Sequence, residues 1–291
     1  VGASARTRHD GKGLACPFIA LSGTCLERNQ DRMFSLLASI LREFSFKDPT
    51  RLKNLLMEYL AGLESMVVQN GHRLAISLAS RSFTVTSALS EAWGGVRQLA
   101  AMKAIARGLA PEDMERLAAQ LSEIGERVFS KGNVRMALIA DEKRLAAGLD
   151  TVTGLHRGLE EHGDGWSGVD FSPEPDLPYD GWRTATAVSF VAASFQTVRM
   201  DHPDAPALAV IGKLLRSLFL HREIREKGGA YGGFALYNPE DGIFSFASYR
   251  DPHIVDTLEV FDRAGAFLRS GAFSEEDVKE GILQVCSEID K

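Results

Sequence analysis

The chain is poor in cysteine, with Cys16, Cys25 and Cys286 the only three in 291 residues. An odd, scattered set in a long chain does not read as a disulfide framework and favours a reducing compartment. A cytoplasmic location is expected, or the mitochondrial matrix or another organelle if the source is eukaryotic. Nowhere do about eighteen apolar residues run together, and the opening residues lack a charged stretch leading into an apolar core with a small-residue cleavage site. No membrane partner is expected. Positive charge is not in surplus: 33 Lys and Arg against 39 Asp and Glu give a formal charge of −6, which argues against nucleic acid and mildly favours cationic partners.

Several catalytic patterns are missing as well. Two histidines on one helix share a metal ion only when spaced by four, about 40° apart. None of the seven histidines is so spaced. His156 and His162 come nearest, but six residues set them roughly 240° apart around a helix. His9, His72, His202, His221 and His253 are scattered and no C-x-x-C occurs, so no zinc or other metal site is expected in this chain. There is no G-x-S-x-G and no G-x-x-x-x-G-K-[ST], which sets aside serine-hydrolase and phosphate-loop chemistry.

What is present is an ordinary globular composition, 45% apolar and 25% charged, long enough for two cores. Residues 14–21 (LACPFIAL) form a continuous apolar run that fits a buried strand. Helical spacing begins at Asn29. Asp48-Pro49 opens a second helix that should end near Asn70-Gly71, and more helix fills 74–109 around a plain break at Gly94-Gly95. Asn70 and His72 are therefore read as a structural helix end. Pro111 with Glu112 and Asp113 starts a helix running towards Phe129, and 133–140 (NVRMALIA) then looks like a strand.

Three prolines among glycines and aspartates mark 164–182 as a linker between a helix-rich unit, 1–163, and a second unit, 183–291. The second unit opens with strand-like residues 184–195, breaks at Asp201-His202-Pro203 and continues as a long helix from Asp204 to Lys227, stopped by Gly228-Gly229. Residues 231–237 and 243–249 alternate as a hairpin. Asp251-Pro252 and Ser274 through Asp277 each start a further helix. The class is α+β, two related domains in which a mainly antiparallel sheet packs with long helices.

The stretch 220–252, LHREIREKGGAYGGFALYNPEDGIFSFASYRDP, is the most distinctive in the chain. It resembles the signature of the fourth domain in the presequence-protease and falcilysin branch of the pitrilysin (insulinase) family of zinc metallopeptidases. Residues 21–34 (LSGTCLERNQDRMF), 48–52 (DPTRL) and 69–75 (QNGHRLA) resemble that branch's third domain. The resemblance implies the pitrilysin-family, LuxS-like metallohydrolase fold and the C-terminal, non-zinc half of a four-domain enzyme, cut at both ends. It places zinc on an H-x-x-E-H motif in the N-terminal half, which becomes the partner, and makes an unfolded peptide the substrate of a closed chamber.

The same resemblance assigns catalytic roles to Arg225 and Tyr231 and substrate contact to Gly228, Gly229, Tyr249 and Arg250. The chemistry agrees: a guanidinium fork suits a peptide carbonyl or carboxylate, and a phenol can donate to the oxygen that turns negative as zinc-bound water attacks. On spacing alone, Arg225 is equally a helix-end cation, Tyr231 a strand former and Tyr249–Asp251 a strand edge with a helix cap. Two rivals stand beside the peptidase half. One is a non-catalytic homologue acting in peptide binding or assembly, as in respiratory-complex core subunits; the other is a helical binding module, which leaves the hairpin unexplained.

Overall fold

A computed structural model describes residues 2–7, 15–161, 173 and 180–289. Of the expected linker only 173 and 180–182 are among them, and His9 and His162 lie outside. In chain order the elements are β1 Gly2–Thr7, β2 Ala15–Ala20, a 3-10 turn Glu27–Asn29, α1 Gln30–Arg42, α2 Pro49–Ser80, α3 Val85–Gly94, α4 Val96–Arg107, α5 Pro111–Val128 and α6 Glu142–Arg157. Then come β3 Ala192–Gln196, α7 Ala205–Leu214 continued by a π-helix Leu215–Lys227, β4 Gly232–Asn238, β5 Ile243–Tyr249, α8 Val255–Ser270 and α9 Glu275–Ile289. The described residues divide into two compact units, each drawn from separate stretches of chain.

The first unit takes the described parts of Ile19–Leu60 and Met102–Asp170. Its regular elements are helical. Pro111 sits in the first turn of α5 with Glu112 and Asp113, where proline loses no hydrogen bond and acidic side chains meet the positive helix end. Phe44 lies edge-on to Phe129 at 5.4 Å and covers Gly125, where an added Cβ would come within 2.4 Å of its ring. The strand expected at 133–140 does not form. The N–H groups of Asn133 and Val134 both donate to the Ser130 carbonyl at 3.0 Å, making a turn, and Ile139 stands 99% exposed. β-prone residues without a partner strand make no ladder; Leu138 instead anchors the run against Gly148 of α6.

The second unit holds the described parts of Ala3–Phe18, Ala61–Ala101 and Phe171–Lys291. β1 and β2 form a two-stranded ribbon. Residues 15–20 are thus a strand, but an exposed one, with Phe18 and Ile19 open to solvent. The apolar run recorded strand propensity, not burial. The main sheet runs β3-β5-β4, antiparallel throughout, with the expected hairpin of β4 and β5 and with β3 on the other side of β5. β5 is central and buried along 243–248; Ser245 and Ser248 are paired there with Ser194 Oγ and the Val191 N–H. Leu215, Leu220, Ile224, Phe246, Phe261 and Ala264 make the core between sheet and helices, each large side chain contributing about 1.5–3 kcal/mol.

Two expected helix starts and stops are moved by tertiary contacts. α2 does not end at Asn70: the residue leaves helical geometry (φ −128°, ψ 26°) and the helix resumes to Ser80. The ring of Phe190 presses on Gly71, where a Cβ would fall 2.3 Å from it. Asn-Gly is there for close approach, not for a cap. Likewise α8 starts at Val255, not at Pro252, and buried Asp251 holds the lead-in by accepting from His253 N at 2.9 Å and Thr257 Oγ1 at 2.7 Å. The Gly94-Gly95 break also has a purpose: Glu91, fully buried, accepts from the N–H groups of Val96 (2.8 Å) and Arg97 (3.2 Å) at the start of α4, and its carboxylate occupies the space a side chain on Gly95 would need.

Gly71→Ala is expected to lower the unfolding free energy of the chain by about 1–3 kcal/mol through overpacking on Phe190, with part of the loss recovered by Phe190→Leu in the same background. Urea denaturation of the single and double variants reads this directly. An unchanged midpoint in Gly71→Ala would mean that Phe190 has room to withdraw.

Candidate functional site

The site is built at the place where the long helix turns into β4. From Leu215 to Lys227 the helix is wound in i→i+5 turns, a rare geometry at this length and one that in short form gathers at functional sites. The sequence contains its cause. Buried positions recur every five residues, at Leu214 and Leu215, at Phe219 and Leu220, then at Ile224. In an α-helix a step of five turns about 140° away from the core; the wider winding keeps all of them on one side. Beside this buried row Glu223, its side chain only 9% exposed, accepts from Lys227 Nζ at 2.8 Å and Arg222 Nε at 3.0 Å. The Lys227 hydrogen bond leads in holding its carboxyl below the usual range, against burial, which works the other way.

The helix closes with two bonds, Gly229 N to Arg225 O and Ala230 N to Ile224 O, both 3.1 Å. Each spans one residue more than the pair that ends an ordinary α-helix on a left-handed glycine. Gly229 takes φ +76°, and at Gly228 a Cβ would lie 2.7 Å from the Ile224 carbonyl oxygen. Both glycines are required by this closure.

Arg225 therefore sits on the last turn, exposed, its Nη1 3.2 Å from His221 Nε2. Tyr231 leads into β4: its N–H donates to the Tyr249 carbonyl at 3.0 Å and its ring, 69% exposed, meets the Tyr249 ring edge-on at 6.0 Å. The two residues stand on either side of the reversal, and no hydrogen bond joins them.

Tyr249 proves to be a hub. Besides Tyr231 it contacts His72 (5.0 Å, edge-on) and Phe190 (5.7 Å), and the Arg250 guanidinium lies 5.5 Å above its ring. His72 in turn stacks on Phe234 at 5.2 Å, and Arg216 covers the Phe234 ring at 5.4 Å. Arg250 has φ +50°, a strained value for a residue with a side chain, and is pinned by the paired backbone bonds of its neighbour Asp251 with Ser189.

His72, expected at a helix end, lies instead inside α2 and against Tyr249. Burial, then the charge of Arg73, push its pKa down, and its Nδ1 is buried without a hydrogen-bond partner. The readable signal was the motif QNGHRLA itself, in which histidine follows the glycine that admits Phe190. Among the described residues no three His, Cys, Asp or Glu side chains converge as a metal site, and no helix is long and apolar enough to cross a membrane. The three cysteines are free and exposed.

Two family models match the chain: "Peptidase M16C associated" over residues 1–105 and "PreP C-terminal domain" over 184–291. The mitochondrial presequence protease of Danio rerio is 33% identical across 94% of the chain, and that of Xenopus laevis 32% across the same share. The mitochondrial presequence protease of Yarrowia lipolytica is 28% identical across 93%. The chain spans 28%, 29% and 27% of these relatives' lengths. Among solved structures, a peptidase M16 inactive domain from Pseudomonas fluorescens superposes with a TM-score of 0.60 at 18% identity, covering 89% of this chain and 61% of that one. A protease from Helicobacter pylori gives 0.56 at 13% identity, covering 91% and 64%. These last two show a shared fold.

The lowered pKa of His72 links this cluster to stability. As pH falls, the unfolded chain takes up the proton near about 6.5 while the native state stays neutral. Stability is therefore expected to be full above that pH and to decline below it. Thermal unfolding between pH 7.5 and pH 5 checks this, with His72→Gln expected to flatten the decline; an equal slope in both proteins would remove His72 as its source.

Proposed function

The chain belongs to the presequence-protease branch of the peptidase M16 family, and we propose that it is the C-terminal half of a zinc-dependent endopeptidase that degrades unfolded peptides in a closed chamber. The observation that carries this reading is the exposure of Arg225 and Tyr231 on the two sides of the Gly228-Gly229 closure. Neither side chain is committed to the core. Arg225 is free to donate two parallel hydrogen bonds to a peptide carbonyl or carboxylate, and the Tyr231 hydroxyl can donate to the carbonyl oxygen as it gains charge during attack by water. The left-handed Gly229 lets an extended peptide backbone come close, while Tyr249, its ring covered by the Arg250 guanidinium, backs the Tyr231 ring.

In this reading the division into 1–163, a linker 164–182 and 183–291 reflects a third and a fourth domain; two separate family matches, over 1–105 and 184–291, support two domains. Zinc fits none of the described clusters of this chain and is assigned to the N-terminal half, the partner with which peptide would be enclosed. The relatives' mitochondrial naming favours the same organelle for a eukaryotic source.

The test uses the full-length protein with a quenched peptide substrate. Tyr231→Phe is expected to lower kcat roughly 10- to 1,000-fold, the scale for one lost oxyanion donor, and Arg225→Ala to act mainly by raising KM. Thermal unfolding measured alongside should change little, since both side chains are exposed. Kinetics that stay normal in both variants, or that fall only in step with melting temperature, would return the pair to helix-cap and strand-former roles and favour a non-catalytic peptide-binding or assembly subunit.

A further inference from the structure

We propose that Arg225 is held in its substrate-gripping posture by a side-chain relay, Glu226 to His221 to Arg225, which the π-helical winding assembles; His221 and Glu226 are positioning residues. This rests on the reading of Arg225 given above. His221 Nε2 lies 3.2 Å from Arg225 Nη1, and Nδ1 lies 3.3 Å from Glu226 Oε1. A guanidinium only donates, so Nε2 is the acceptor and Nδ1 carries the proton, within charge-contact distance of the carboxylate. The imidazole thus joins an acceptor to a donor through one ring and fixes the direction in which the arginine leaves the helix.

The winding makes this possible. Arg225 and Glu226 are the fourth and fifth residues after His221. In an α-helix the fifth would be about 140° round the axis and out of reach. In i→i+5 turns the fourth and fifth residues flank the one a turn back, and both reach the ring. The neighbouring charges do not compete, because Glu223 already engages Arg222 and Lys227. All three relay side chains are largely exposed, His221 at 47% and Glu226 at 59%, where ion pairs contribute little to folding. The arrangement is therefore better explained by aiming Arg225 than by holding the helix together.

The full-length protein, assayed with a quenched unstructured peptide, separates the possibilities through Arg225→Ala, His221→Ala, His221→Gln and the double alanine variant. His221→Ala is expected to raise KM roughly tenfold with kcat within about twofold of the parent. His221→Gln, whose amide can accept from Arg225 and donate to Glu226, should recover most of that loss. In the Arg225→Ala background His221→Ala should add nothing, since it acts only through the arginine. If Arg225→Ala raises KM while His221→Ala leaves it unchanged, or if the two effects add, the relay is overturned and the reading of Arg225 stands. An unchanged KM in Arg225→Ala overturns that reading and the relay with it. Should His221→Ala fold poorly by thermal unfolding, Glu226→Ala takes its place with the same expected non-additivity.

Discussion

The bond from Ala230 N to the Ile224 carbonyl is the constraint from which the site follows. It closes a helix whose turns are one residue too wide, and it does so only because Gly229 accepts a left-handed backbone and Gly228 has no side chain to strike the Ile224 carbonyl oxygen. The residue after Ala230 is Tyr231, whose N–H already donates to the Tyr249 carbonyl. A conventional α-helical ending would bring the chain round one residue earlier. Because side chains alternate along a strand, that shift would exchange the faces of every residue in β4 and send Tyr231 to the opposite side of the sheet.

The width of the helix is itself a packing result. Leu214-Leu215, Phe219-Leu220 and Ile224 repeat at intervals of five, and burying them, with β4 and α8 packed against the helix, outweighs the poorer hydrogen-bond geometry of the wide turn. Gly233 contributes from the strand side, where a Cβ would sit 3.0 Å from Leu220 Cβ, so the helix approaches more closely than a larger residue would allow. Core and site are therefore one arrangement: the apolar face sets the winding, and the winding sets which polar side chains become neighbours on the outer face.

Much of the local structure was legible in the sequence. The Gly-Gly stop, the hairpin, the Pro111 start and the Ser274 cap, whose hydroxyl accepts from the Asp277 N–H, all depend on local backbone rules. The misreadings share a different cause. Asn70-Gly71 carried a stop signal that Phe190, more than a hundred residues away, turned into a kink. Residues 133–140 had strand composition but no strand to pair with, and residues 15–20 had core composition on an exposed ribbon. The five-residue repeat was present in the letters, yet a long apolar-polar pattern is read by habit at 3.6 residues per turn, and the error hid the proximity of His221, Arg225 and Glu226.

Arg225 and Tyr231 are held by different kinds of force, and this bears on how the site can vary. Tyr231 is placed by its main chain: one ladder bond to Tyr249 and the register of β4 decide its position, and only its ring packing depends on neighbours such as Tyr249. Its placement should tolerate substitution around it so long as the sheet forms. Arg225 has a fixed Cα, but several rotatable bonds separate it from its guanidinium, and what orients the far end is side-chain contact with His221. Orientation of that kind is lost without loss of fold, since exposed contacts contribute little to stability. The two halves of the grip are thus unequal, a rigid donor carried by the sheet beside an adjustable one carried by the helix. Variation along the outer face of the π-helix would then alter how tightly a peptide is held before it alters how fast it is cut.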